Sequence, residues 1–104
     1  MLELVINQNP IYSNGVVNWM LENPNENGKL LQVDIFDDEK VIYQSPTLKP
    51  NQKVQTAKVN LSNLKSGNHR VRAEFNFYDE ASKKLYISHT YKGIILTIND
   101  GGKE

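Results

Sequence analysis

From His69 to Tyr78 apolar and polar side chains alternate without interruption, and no other stretch constrains the fold as strongly. His69, Val71, Ala73, Phe75 and Phe77 fall on one side of a period of two, and Arg70, Arg72, Glu74, Asn76 and Tyr78 on the other. A helix would scatter both sets around its axis. A strand separates them into an inner and an outer face. The preceding run, Leu61-x-x-Leu64-x-x-Gly67-x-His69, reads as a corner that delivers the chain into that strand.

The rest of the chain is punctuated for strands as well. Leu2, Leu4 and Ile6 alternate in a first strand, and Val17, Trp19 and Leu21 in a second. Asn9-Pro10 and Asn14-Gly15 turn the chain between them, with Ile11 and Tyr12 as a short bridge. Residues 23–28, Asn-Pro-Asn-Glu-Asn-Gly, are expected to form an exposed loop. Leu31, Val33 and Ile35 mark the inward side of a third strand, Asp37-Asp38-Glu39-Lys40 a turn, and residues 41–44 a fourth strand. Pro46 and Pro50 confine residues 45–51 to an edge or crossover, before a fifth strand carrying Ala57, Val59 and Leu61 in phase. Residues 79–84 are a polar connection. In the last run, 85–98, Leu85 and Ile87 are odd, whereas Ile94, Leu96 and Ile98 are even. A straight strand would expose one half, so Gly93 is the expected bulge.

No segment carries a 3.6-residue apolar stripe. Short strands at regular spacing indicate an all-β fold, and about seven antiparallel strands point to an immunoglobulin-like β-sandwich, with a closed barrel of the OB type as runner-up. At 104 residues the chain has room for one domain, assigned to residues 1–98, with 99–104 as a disordered tail.

Composition narrows the chemistry. Twelve basic and twelve acidic residues balance, which lacks the basic footprint of a nucleic-acid binder. Without cysteine there is no disulfide, thiolate metal site or cysteine nucleophile. No apolar run approaches the roughly 20 residues that span a bilayer, so no membrane insertion by this domain is expected. Met1-Leu2-Glu3-Leu4 does not open a signal peptide: the chain is either cytosolic or a piece of a longer protein whose amino terminus lies elsewhere.

Leu64-x-x-Gly67-x-His69-x-Val71-x-Ala73 resembles the approach to strand F in immunoglobulin and fibronectin type III-like domains, where a tyrosine hydroxyl usually bonds back to the corner backbone. Here His69 holds the aromatic position, so that bond would come from an imidazole nitrogen. The cysteine pair and strand-C tryptophan of that fold are missing, and Trp19 is expected to fill the core instead. A second resemblance covers most of the chain. Glu22-Asn23-Pro24, residues 33–38 and 41–46, Leu48-x-Pro50-Asn51-Gln52, Leu64-x-x-Gly67 and Phe77-Tyr78-Asp79 look like small surface domains of Gram-positive bacteria. Such domains occur in lipoproteins and cell-wall proteins and are generally not enzymes. This likeness implies an extracellular or cell-surface location and a protein or cell-wall glycan as partner.

No catalytic, cofactor or metal residue is assigned. His69 and His89 are the only histidines, no serine sits in a Gly-x-Ser-x-Gly elbow, and His69 has core parity. Asp34, Asp37, Asp38 and Glu39 are dense in oxygen but lack calcium-loop spacing, and read as a solvated turn. The expected partner-binding face lies where the outer sides of the third and central strands merge: Gln32, Asp34 and Phe36 beside Arg70, Arg72, Glu74, Asn76 and Tyr78. Arginine beside aromatic rings is the composition of interface anchors. The function this implies is a non-catalytic interaction or spacer module, with a carbohydrate-binding module or an intracellular inhibitor or chaperone-like domain as alternatives.

Overall fold

A computed structural model describes residues 2–99. Among them are nine strands: β1 (Ile11–Ser13), β2 (Val16–Val17), β3 (Leu21–Asn23), β4 (Leu30–Asp37), β5 (Lys40–Gln44), β6 (Gln52–Val54), β7 (Ala57–Lys58), β8 (Gly67–Tyr78) and β9 (Leu85–Ile98). The only helical turn among the described residues is a 3-10 turn at Asn25–Asn27, so the fold is all-β. Seven strands form one curled sheet in the order β5-β4-β8-β9-β1-β2-β7, half of a barrel, and β3 pairs with β6 in a second, two-stranded sheet.

Three features differ from the strands read in the sequence. First, β1 runs parallel to β9, pairing Ile11 with Thr97 and Tyr12 with Ile98, so the large sheet is mixed. Second, two expected strands are each broken. Met20, with φ of 53°, separates β2 from β3, and its N–H donates to the Gln55 carbonyl between β6 and β7. Both strands therefore turn at one corner. Their β2 and β7 halves continue the large sheet, and their β3 and β6 halves form the small one, as strands do when they switch sheets at a bend. Third, residues 2–6 form no regular strand. They touch the sheet through one bridge, Val5 with Glu22, while Leu2, Leu4 and Ile6 still pack half-buried against the core.

The inner faces follow the alternation. Leu31, Val33 and Ile35 of β4, Val71, Ala73, Phe75 and Phe77 of β8, and Ile94, Leu96 and Ile98 of β9 are buried together with Val17 and Leu21. Trp19 is 0% exposed and stacks on Tyr43 at a centroid distance of 5.4 Å. Its indole N–H has no hydrogen-bond partner among the described residues, and burial pushes the Tyr43 phenol pKa up. The corner before β8 is tied at two points. The buried Tyr12 hydroxyl accepts from the Leu61 N–H, and His69 Nε2 lies 2.7 Å from the Lys65 carbonyl. His69 Nδ1 lies 2.9 Å from the Asp37 carboxylate. Both ring nitrogens thus face acceptors, and only a doubly protonated ring donates to both.

The segment expected to be an exposed loop at residues 23–28 is partly internal. Asn23 and Asn27 are buried. The Asn23 amide donates to the Lys29 and Leu48 carbonyls, and the Asn27 side chain accepts from the Glu3 N–H and donates to the Glu3 carbonyl. A side-chain amide carries the same donor and acceptor as a peptide unit, so Asn27 substitutes for a neighbouring strand beside Glu3. Residues 45–51 cross over as expected, with Leu48 bridged to Leu31.

β9 carries its bulge at Gly93. Val71 pairs with Ile94 and Arg72 with Lys92, leaving Gly93, at φ of 107°, as the extra residue. A second irregularity, between Phe77 and Tyr78, leaves Tyr86 as the extra residue of β9. The connection from β8 to β9 closes on Asp79, whose carboxylate accepts from the Ser82 N–H at 2.9 Å. That bond holds the Asp79 pKa below the usual carboxylate value. Asn99, expected in the tail, donates its N–H to the Tyr12 carbonyl; the remainder of that tail lies outside the described residues.

Candidate functional site

Antiparallel pairing of β4 with β8 decides where the outer residues stand. Gln32 is opposite Asn76, Asp34 opposite Glu74, Phe36 opposite Arg72, and Leu30 opposite Tyr78. Residues directly opposite project to the same side of a sheet, so seven of the eight expected residues form one strip. Arg70, two positions from Arg72, continues it past the end of β4.

The strip has two chemically different halves. At its centre an amide network surrounds Asp34. Its carboxylate accepts from the Gln32 amide at 2.8 Å, from Gln44 at 3.2 Å and from Asn76 at 3.4 Å. Asn76 also donates to Gln32 Oε1 and accepts from the Ser88 hydroxyl at 2.7 Å. Glu74 stands opposite Asp34 on one side and Thr90 on the other. With its donors engaged, this half is a fixed polar surface. Gln44 and Ser88 belong to it but were not in the sequence reading. Pairing β8 with β9 across the residue 79–84 turn is the signal that places Ser88 beside Asn76.

The other half is cationic. The Arg72 guanidinium lies 4.4 Å from the centre of the Phe36 ring and donates to the Asp38 carbonyl at 2.6 Å. Cation–π contact and hydrogen bond together fix its plane. Beside it is a groove of about 180 Å³ lined by Phe36, Asp38, Arg70, Val71, Arg72 and Lys92. The Arg70 guanidinium and the Lys92 ammonium make no hydrogen bond or ion pair among the described residues. Lys92, directly opposite Arg72, is a further residue the sequence reading did not place here. Tyr78, at the far end of the strip, instead lines a hollow of about 480 Å³ with Leu30, Thr47, Lys49 and Lys83. Arg70 and Tyr78 therefore occupy opposite ends of one face.

The acidic run does not converge. Asp34 points its carboxylate into the amide network, Asp37 faces His69, and Asp38 and Glu39 form the tip of the β4–β5 hairpin, with Asp38 at φ of 56°. Among the described residues no three His, Cys, Asp or Glu side chains are placed to hold a metal ion. His89 is exposed and opposite Phe75, remote from His69 in the hairpin register. Against known protein families, curated proteins and solved structures, the chain has no match.

Proposed function

We propose that this chain is an immunoglobulin-like sandwich serving as a non-catalytic interaction or spacer module of a bacterial cell-surface protein, presenting its loops and the β4–β8 face to a protein or cell-wall glycan. The sandwich reading is supported by the central β5-β4-β8-β9 order, by β1 running parallel to β9, and by the corner bond from His69 to Lys65. The surface context rests on the resemblance of the turn and core motifs to those of Gram-positive surface domains. A non-catalytic role is consistent with the chemistry of the His69–Asp37 pair. The nitrogen that a hydrolytic base would offer to a nucleophile is held instead by the Lys65 carbonyl.

One observation carries the binding reading: Arg72 is locked over Phe36, while among the described residues the side-chain charges of Arg70 and Lys92 beside it have no partner. A rigid arginine–aromatic anchor flanked by free cations is the make-up of interface hot spots for a partner presenting acidic groups. The test is a binding titration against purified Gram-positive cell walls and, separately, solubilised envelope proteins. Arg70→Ala/Arg72→Ala is expected to weaken binding at least tenfold, whereas Lys53→Ala on β6 leaves it unchanged. Equal binding by both variants would sink the proposal. The glycan alternative is favoured only at the Tyr78 hollow, since Trp19 is buried and unavailable for stacking on a sugar. On that reading Tyr78→Ala, and not the arginine pair, abolishes binding to cell walls.

A further inference from the structure

The two edges of β9 differ. One is paired with β8 along its length, from Leu85 opposite Tyr78 to Ile98 opposite Gly67. The other is covered by β1 only at Thr97 and Ile98, and by Gln8, whose carbonyl accepts from the Ile95 N–H. From Leu85 to Lys92 no strand among the described residues lies along it. Leu85, Tyr86 and Ile87 are 57%, 61% and 39% exposed, three large apolar residues in succession.

The backbone groups on that edge can be identified. Ile95 and Thr97 have outward side chains and donate their N–H groups toward Gln8 and Pro10, so outward residues of β9 address this edge. The bulge at Gly93 shifts the outward set to even numbers, as the bond from Ser88 to outward Asn76 shows. Ser88 and Thr90 therefore present N–H and C=O to the free edge.

Sequence chemistry indicates what can pair there. Residues 85–91, Leu-Tyr-Ile-Ser-His-Thr-Tyr, contain no Asp, Glu, Lys or Arg and no proline or glycine, while Lys83, Lys84 and Lys92 flank them. An uncharged, β-branched and aromatic stretch with unpaired backbone is a template for strand addition. The other ends of the sheet are blunted: β5 begins on Lys40 and breaks register against β4 between Ile35 and Phe36, and β7 has two residues. With no charge to select an oppositely charged partner, the segment best suited to this edge is its own copy.

We infer that β9 pairs antiparallel with β9 of a second copy of this chain, about a two-fold axis at His89. This register draws its four backbone hydrogen bonds, between Ser88 of each copy and Thr90 of the other, from the regular stretch between the bulges at Tyr86 and Gly93. It sets Ile87 opposite Tyr91, a β-branched–aromatic pair made twice. Lys92 then faces Tyr86. An axis at Ser88 instead opposes Lys92 to Lys84 and uses the bulged Tyr86. The interface is small, so the dimer is weak and concentration-dependent.

Sedimentation of the intact chain tests this. The average mass is expected to rise from 11.9 kDa toward twice that value as concentration rises from about 5 μM to about 1 mM. Thr90→Pro removes an N–H that bonds nothing among the described residues, and Ile87→Lys adds a charge at the pairing edge. Each is expected to keep the wild-type circular dichroism spectrum and to weaken association at least tenfold. If Thr90→Pro fails to fold, Ile87→Lys alone decides. Slowed amide exchange at Ser88 and Thr90 in concentrated samples is the second expected sign. A chain that stays monomeric near 1 mM overturns the inference, as does a dimer indifferent to the folded variants. Capture of a different protein by the monomer's edge without self-association, or growth beyond two copies, overturns it equally.

Discussion

The two halves of β9 belong to one strand, share one partner and meet opposite fates. Ile94, Leu96 and Ile98 alternate with half-buried residues and are themselves sealed in the core. From Leu85 to Thr90, every residue is exposed, although β8 opposite them still buries Phe75 and Phe77. The exposed run is the more polar, with Ser88, His89 and Thr90, yet Leu85, Tyr86 and Ile87 within it are exposed as well, so hydrophobicity alone does not separate the halves. Neighbours do: the second half has β1 on its far edge and the first half has nothing described there. Burial in a sheet depends on both flanks, and a strand can be well hydrogen-bonded on one side while its side chains stay in water.

Leu96→Ala against Leu85→Ala is the most direct way to break this comparison. The first should cost about 2–5 kcal/mol in chemical denaturation, the range for large-to-small changes in a packed core. The second should stay within about 0.5 kcal/mol, as for an exposed site. Equal costs would mean that the first half is covered in solution, and at high protein concentration a growing Leu85→Ala cost would point to the paired edge. Gly93→Ala probes the junction. A Cβ there meets only the Tyr91 hydroxyl at 3.8 Å and ring at 4.0 Å, so the penalty comes from φ of 107° rather than from crowding. A melting-curve loss of about 1–3 kcal/mol is expected.

The smallest effect is at the turn that begins β9. The folded-state pKa of Asp79 is depressed, because the ionised carboxylate receives the Ser82 N–H. Its contribution is present above the ordinary carboxylate pKa and is lost as pH falls through the lower folded value. Asp79→Asn should therefore melt slightly below wild type at neutral pH and coincide with it in strong acid. A gap that persists in acid would exclude this bond as its source.

The sequence showed the inner faces plainly, because alternation in residues 69–78, 31–35 and 94–98 depends only on which side of a strand meets water. The bulge at Gly93 was readable for the same reason: a change of parity has few other causes. Adjacency was not readable. Nothing in Ile11 and Tyr12 states that they will lie parallel to Thr97 and Ile98, and nothing in Leu85 to Ile87 states that they will lack a flank. The burial of Asn23 and Asn27 was hidden because turn-forming asparagines and amides that replace a strand look alike until their carbonyl partners are placed. At the candidate site, strand parity and the antiparallel pairing of β4 with β8 brought Gln32, Asp34, Phe36 and Arg72 onto one face. Capture of Arg72 by Phe36 and the Asp38 carbonyl depended on the hairpin tip, whose shape rests on Asp38 adopting a left-handed backbone.

The parallel contact of β1 with β9 also has a consequence for synthesis. Ile11 and Tyr12 leave the ribosome well before Thr97 and Ile98, with which they pair. Until then β1 and β2 have only each other and the two-residue β7 to pair with, a small arrangement that is marginal alone in water, and the closing contact carries the entropy of a very long loop. The large sheet therefore stays unfinished until β9 is made, and its folding should finish slowly, in a late step that joins β1 to β9.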